Sequence, residues 1–149
     1  MAQSKNRDPA IAGGGETATP YPASRGWIGF AALSGGVAVI AGAFAAHGLD
    51  PQAEAAEIGW LRTGSLYEAL HALAMLMVAS LATMGLLGSR LGGGAQWAFT
   101  IGNICFPTAL YGLALHGPRW LGAVAPIGGM AFIIGWIALS AGTIMRPEH

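Results

Sequence analysis

The 149-residue chain is 54% hydrophobic and only 9% charged, with a mean hydropathy of +0.54, whereas a soluble domain carries about 25% charged residues. Seven basic and seven acidic residues cancel, which removes the electrostatic case for a nucleic-acid partner. The one cysteine, Cys105, excludes an intramolecular disulfide, and Gly13-Gly14-Gly15 has no strand before it to make a phosphate cradle.

Residues 1–25 are rich in Gly, Pro, Ala, Thr and Ser without a hydrophobic period, and read as a flexible cytoplasmic tail. An all-α transmembrane domain, a four-helix bundle, is expected over 26–146. Its first span covers 26–46, about 21 residues or roughly 31 Å as a helix, which matches the hydrocarbon thickness. Ala43-Phe44-Ala45 resembles a signal-peptidase site, but the apolar run exceeds the roughly 7–15 residues of a signal core, so it reads as a retained span. His47-Gly48 is a plausible stop. Asp50-Pro51 has the chemistry of a helix start. The stretch from there to Arg62 is too short and too charged to cross, which predicts a short interfacial helix between helices 1 and 2.

Helix 2 is expected over 64–88, and Ser89 to Gly94 as a tight exposed connection. Helix 3 follows over 95–115 with Pro107 inside it, and helix 4 over 120–145 with Pro126 inside it. Each proline withholds one intrahelical bond, from the carbonyls of Asn103 and Gly122 respectively. Four spans place Arg25, Arg90 and Arg146 on one side, with Lys5 and Arg7, against Arg62 and Arg119 on the other. The positive-inside rule then puts both termini in the cytoplasm.

Small residues mark how the helices meet, because in lipid they allow close backbone approach. Helix 1 carries Ser34, Ala38, Gly42 and Ala46. Helix 3 carries Gly102, Cys105, Ala109 and Gly112, and helix 4 carries Gly128, Ala131, Gly135, Ala138 and Gly142. Gly42, Gly112, Gly128 and Gly135 are the expected helix-packing positions.

The chain also resembles a known family on three blocks. These are Gly42-Ala43-Phe44-Ala45-Ala46-His47-Gly48-Leu49; Thr63 and Tyr67 with His71-Ala72-Leu73-Ala74; and Arg119-Trp120-Leu121-Gly122-Ala123-Val124-Ala125-Pro126-Ile127-Gly128-Gly129, continuing to Gly135-Trp136. They are similar to the YgdD-type small bacterial inner-membrane family, the family of domain of unknown function 423. The likeness runs from about Trp27 to Met145. It implies a four-helix membrane protein and names no substrate. The resemblance implies a preference for Gln where this chain has Glu68 and a non-histidine residue where it has His116.

The candidate polar cluster is His47, Glu68, His71, His116 and Arg119, all expected toward the non-cytoplasmic side. An acid and an imidazole one turn apart in an apolar helix are costly unless they face a protein interior or a wet cavity. In the plainer reading Glu68 pairs with Arg62 or Arg119, His71 donates to a backbone carbonyl, and His47 and His116 finish helices 1 and 3. A zinc or copper site of imidazoles with Glu68 is chemically reasonable, but the ligands lack diagnostic spacing. A di-iron bundle needs two Glu-x-x-His motifs and only Glu68-x-x-His71 is present. Haem ligation fails on depth, since His71 lies roughly 10 Å into helix 2 and the other histidines at helix ends. No metal or other cofactor is therefore expected, and no catalytic residue. The leading expectation is a non-catalytic accessory or assembly subunit of a membrane complex, partnered by the bilayer and by other membrane subunits or itself. The alternative is a small transporter or proton- or metal-handling protein using the polar cluster.

Overall fold

The computed structural model describes residues 25–145, and these are helical throughout apart from short connections. In chain order they form α1 (Arg25–His47), α2 (Ala55–Thr83), α3 (Ser89–Ala114) and α4 (Leu121–Ile144). The expected tail over 1–24 and the Arg146 flank lie outside the described residues. Three helices, α1, α2 and α4, are long and apolar enough to cross a membrane. The 26 residues of α3 reach about 39 Å at 1.5 Å per residue, but Gln96, Thr100 and Asn103 lower its hydropathy. Those three side chains are buried, while Trp97, Ile101 and Ile104 on the same helix are exposed. Polar groups inward and apolar groups outward is the pattern a bilayer imposes.

The main packing runs α1 on α2, α2 on α3 and α3 on α4. On α4, a methyl added at Gly128 would sit 2.6 Å from the backbone nitrogen of Phe106, and one at Gly135 would sit 2.5 Å from the Phe99 ring. Gly112 faces the side chain of Leu121, and a methyl at Gly42 would lie 3.4 Å from Ser65 Oγ on α2. The stripe on α1 differs from the expected one. Ala31, Ser34, Ala38 and Ala45 are buried whereas Ala46 is exposed, because alternating steps of three and four keep a seam aligned and strict steps of four drift off it.

The separate interfacial helix is not present. Residues 51–53 form a turn, and α2 runs unbroken from Ala55 through Arg62 into the apolar segment. Asp50 caps no helix. Its Oδ1 accepts the Gln52 amide at 2.9 Å, and Glu54 Oε2 accepts the Asp50 amide at 3.0 Å, so the pair folds a turn before the helix begins. Gly64 does not break the chain either, since its bare Cα lets the Tyr111 ring come to 2.6 Å from where a Cβ would be. The 29 residues of α2 extend about 43 Å, longer than the hydrocarbon, so its charged first turns project beyond it.

The expected connection over 89–94 is likewise helical, as the opening of α3. The turn lies earlier, at Met84 to Gly88. Gly85 has φ 71°, and the amides of Leu86 and Gly85 reach the carbonyls of Leu81 and Ala82 at 2.9 and 3.1 Å. That is a Schellman end, the usual use of a left-handed glycine. His116 repeats it at the end of α3 with φ 60°, where Gly117 and His116 amides reach Gly112 and Leu113 at 2.7 and 3.1 Å.

Two apolar clusters fill the interior. One gathers Ala31, Met75, Val78, Ala95, Phe99, Phe132 and Leu139. The other, toward the opposite end, is Ala45, Leu61 and Ala114 with Leu49 and Tyr111 against it. Between them, at mid-depth, lies a layer of buried polar side chains.

Candidate functional site

That layer is centred on Glu68, which is 5% exposed. The turn-spaced apolar residues of α2 point this side of the helix inward, and Glu68 falls among them between Leu61 and Met75. Its Oε1 accepts the Ser34 hydroxyl of α1 at 2.7 Å, and its Oε2 accepts the Tyr111 hydroxyl of α3 at 2.7 Å. Ser34 Oγ in turn accepts the Asn103 amide Nδ2 at 2.8 Å. One carboxyl group thus ties three helices together. The expected ion pair with Arg62 or Arg119 is absent: both arginines are exposed, and among the described residues the ion pair within reach is His116 with Glu57 at 3.9 Å. A buried acid next to a membrane gains more from hydroxyl donors at its own depth than from a cation that must leave the aqueous face to reach it.

His71, one turn on, turns to α4 instead. Its Nδ1 meets the Tyr67 carbonyl at 2.7 Å, and its Nε2 meets Trp136 Nε1 at 3.2 Å. A carbonyl only accepts and an indole N–H only donates, so the pattern assigns the neutral imidazole with its proton on Nδ1. The ring stacks on Phe132 at 3.4 Å between centroids and 9° between planes. Beside it α2 and α4 leave an apolar groove of about 490 Å³ that includes Tyr67, His71, Phe132 and Trp136 in its lining.

The other members of the expected cluster are not brought to this layer. His47, His116 and Arg119 are exposed at one end of the bundle. His116 reaches Glu57, which lies eleven residues before Glu68, roughly 16 Å of helix rise away. No group of three or more His, Cys, Asp or Glu side chains with metal-binding geometry occurs among the described residues. Both nitrogens of His71 are already engaged, so a metal there would have to displace the Trp136 bond.

Tyr111, Asn103 and Trp136 join the site beyond the expected residues, and Ser34, expected only on the packing stripe of helix 1, hydrogen-bonds here as well. The available signal was stoichiometric. A buried carboxylate has two oxygens to satisfy, and the inward faces of α1 and α3 carry few groups able to donate. A further buried polar side chain, Gln96 of α3, is 1% exposed, and neither its Nε2 nor its Oε1 has a partner; Asn103 Oδ1 is also without one.

Comparison with known proteins shows what the chain as a whole is similar to. A family model described as "Protein of unknown function (DUF423)" matches residues 41–129. The chain is 38% identical over 117 residues to a UPF0382 membrane protein of Haemophilus influenzae, covering 78% of this chain and 92% of that one. It is 37% identical over 124 residues to the UPF0382 inner membrane protein YgdD of Escherichia coli K12, covering 81% and 91%. A UPF0382 membrane protein of Staphylococcus epidermidis is 34% identical over 113 residues, covering 76% and 90%. No solved structure matches.

Proposed function

The chain belongs to the DUF423 family of membrane proteins, and from that premise we propose that it is a non-catalytic assembly subunit of the bacterial inner membrane, docking other membrane helices through the outer face of α4. The observation that carries this reading is a stripe on that face. Ile127, Met130, Ile134, Ile137 and Ile144 are all more than half exposed, and with Ala141 they recur at alternating steps of three and four. That spacing is the seam of a left-handed helix pair, and β-branched side chains suit it because little rotamer freedom is lost on contact. A groove of about 490 Å³ continues along the same helix between Trp136 and Met145. Inside the bundle, by contrast, Glu68 accepts from α1 and α3, and His71 is held by the Tyr67 carbonyl of its own helix and by Trp136 of α4.

Cysteine cross-linking in native membranes tests the docking face. With Cys105 replaced by Ser, Ile134→Cys is expected to give a discrete cross-linked adduct. Leu73→Cys, on the outward side of α2 at 64% exposure, serves as the lipid-facing comparison. An adduct at both positions alike, or at neither, removes the α4 interface.

In this reading four helices cross, with both termini cytoplasmic and the turn at 50–54 outside. Support comes from the sequence positions of Lys5, Arg7, Arg25, Arg90 and Arg146 on one side against Arg62 and Arg119 on the other, and from Trp27 and Trp97 at one end with Trp60 and Trp120 at the other, where aromatic belts lie. A fluorescent protein that matures only in the cytoplasm, fused after His149, is expected to be bright. A dark fusion of normal abundance reverses the orientation.

A further inference from the structure

The inner face of α3 carries a row of polar side chains between apolar ones such as Ala95, Phe99 and Ala109. Gln96, Thr100, Asn103 and Tyr111 share it, from 1% exposed at Gln96 to half-buried at Tyr111. Fifteen residues separate the first from the last, roughly 22 Å of rise, against about 30 Å of hydrocarbon. The upper part of this face is connected by direct hydrogen bonds: Asn103 to Ser34, Ser34 to Glu68, Tyr111 to Glu68. Toward Gln96 the connections stop. The whole Gln96 amide and Asn103 Oδ1 are buried and unpartnered, and Pro107 has no amide hydrogen to give the Asn103 carbonyl.

Such groups are costly in a dry interior. A buried amide without partners loses about 1–3 kcal/mol per unsatisfied group, and buried waters are the ordinary remedy where two to four polar atoms converge. Thr100 stands one turn from both amides. Its hydroxyl donates to the Gln96 carbonyl at 2.8 Å and keeps lone pairs with which to accept.

The Glu68 end of the chain has a second property. As arranged, every link points toward the carboxyl: the Asn103 amide donates to Ser34, and Ser34 donates to Glu68. A half-turn of the Asn103 amide puts its oxygen where its nitrogen was, and the Ser34 hydroxyl can then donate to Asn103 while accepting from a protonated Glu68. The same atoms in the same places serve either protonation state. A carboxyl paired with a guanidinium has no such symmetry.

We propose that the inner face of α3 is a hydrated proton path, with water held between Gln96 and Asn103, and that Glu68 is the proton-exchanging group at its end. The step is proton transfer alone. Ser34 Oγ gives its proton to a carboxylate oxygen of Glu68, forming a neutral carboxylic acid, and takes a replacement from the water beside it, while the Asn103 amide keeps its own hydrogens and only orients the hydroxyl; the reverse order returns the proton to water. No electron moves and no other reactant is needed. Around Glu68, α1 contributes Ser34 and no titratable group. On α3 the titratable group is the Tyr111 phenol, and on α2 itself His71 faces α4. This goes beyond the assembly role, which needs no proton movement.

The test is infrared difference spectroscopy on the full chain in lipid nanodiscs. The carboxylic C=O band of Glu68 is identified by its loss in Glu68→Gln. It is expected to appear as pH is lowered and to shift promptly when H₂O is exchanged for D₂O. In Gln96→Leu, which keeps the volume and removes the amide, exchange is expected to slow by about tenfold or more, the effect of roughly one lost hydrogen-bonded link. Gln96→Met provides a second apolar replacement in case Leu does not fold, with helix content checked for each. A Glu68 band that never appears while the protein stays folded overturns the proposal, as does equal exchange in the wild type and both Gln96 variants.

Discussion

Gly128→Leu is expected to abolish the folded bundle, with a loss of about 3 kcal/mol or more, the upper end of what overpacking a well-filled interior costs. The reason is what the new side chain meets. A Cβ at residue 128 would lie 2.6 Å from the Phe106 backbone nitrogen, 2.7 Å from its Cβ and 2.9 Å from its Cα. A flexible side chain can swing aside, but a helix backbone cannot, so α3 and α4 must separate along the contact that joins them. Even Gly128→Ala is expected to destabilise. The adjacent Gly129 has nothing within 4 Å of its added Cβ. Gly129→Ala is therefore expected to be neutral or to stabilise by up to about 1 kcal/mol, the helix-propensity difference between the two residues. Thermal unfolding in detergent, followed by helix content, reads the sign of each change. If the two alanine variants behave alike, the close approach of α3 to α4 at Phe106 is wrong.

This pair of glycines also marks what sequence alone could tell. Spacing identified the α4 seam because a period of three and four is a property of one helix. It placed Gly128 on the seam and left Gly129 off it. The opening of α3 shows the opposite case. Ser89-Arg90-Leu91-Gly92-Gly93-Gly94 has the composition of a loop, yet Gly92 is buried against Leu87, and the turn belongs to Gly85. Glycine signals both a turn and a close contact, and the local sequence does not say which. The first turns of α2 are a related case: the charge at Glu54, Glu57 and Arg62 suggests a separate surface helix, whereas α2 runs unbroken from Ala55 and the charge marks only where it leaves the hydrocarbon.

The polar groups of the site are legible in two residues and hidden in the others. Glu68 and His71 stand out because an acid and an imidazole are rare in an apolar helix. Ser34 and Tyr111 do not stand out. A serine in a small-residue stripe and a tyrosine near a helix end each have commoner explanations, and their meeting with Glu68 depends on how α1 and α3 are rotated about their axes. Rotation is set by the whole packing interface, and no short motif carries it. The arginines were the more obvious partners by charge, and burial decided against them.

Glu68→Ala is the other substitution expected to have a large effect, about 3 kcal/mol of stability or more. Two contributions add. Removing the carboxyl and its methylenes leaves a cavity between α1, α2 and α3, of the kind that costs about 2–5 kcal/mol for a large-to-small change in a core. It also strands the donors that Glu68 accepts from. Ser34 is 5% exposed and its other partner among the described residues, Asn103, donates to it and offers its proton no acceptor, and Tyr111 is half-buried, so neither hydroxyl recovers water freely. Glu68→Gln removes the charge and keeps the shape. Its amide oxygen still accepts one hydroxyl, and its amide nitrogen can donate to the other once that hydroxyl turns round. The Gln chain is expected to stay within about 1 kcal/mol of the parent, the scale of one ordinary net hydrogen bond. The contrast is the informative quantity. If Gln is as damaging as Ala in detergent unfolding, the fold depends on the carboxylate charge itself, and the hydroxyl clamp on Ser34 and Tyr111 is not what holds the three helices together.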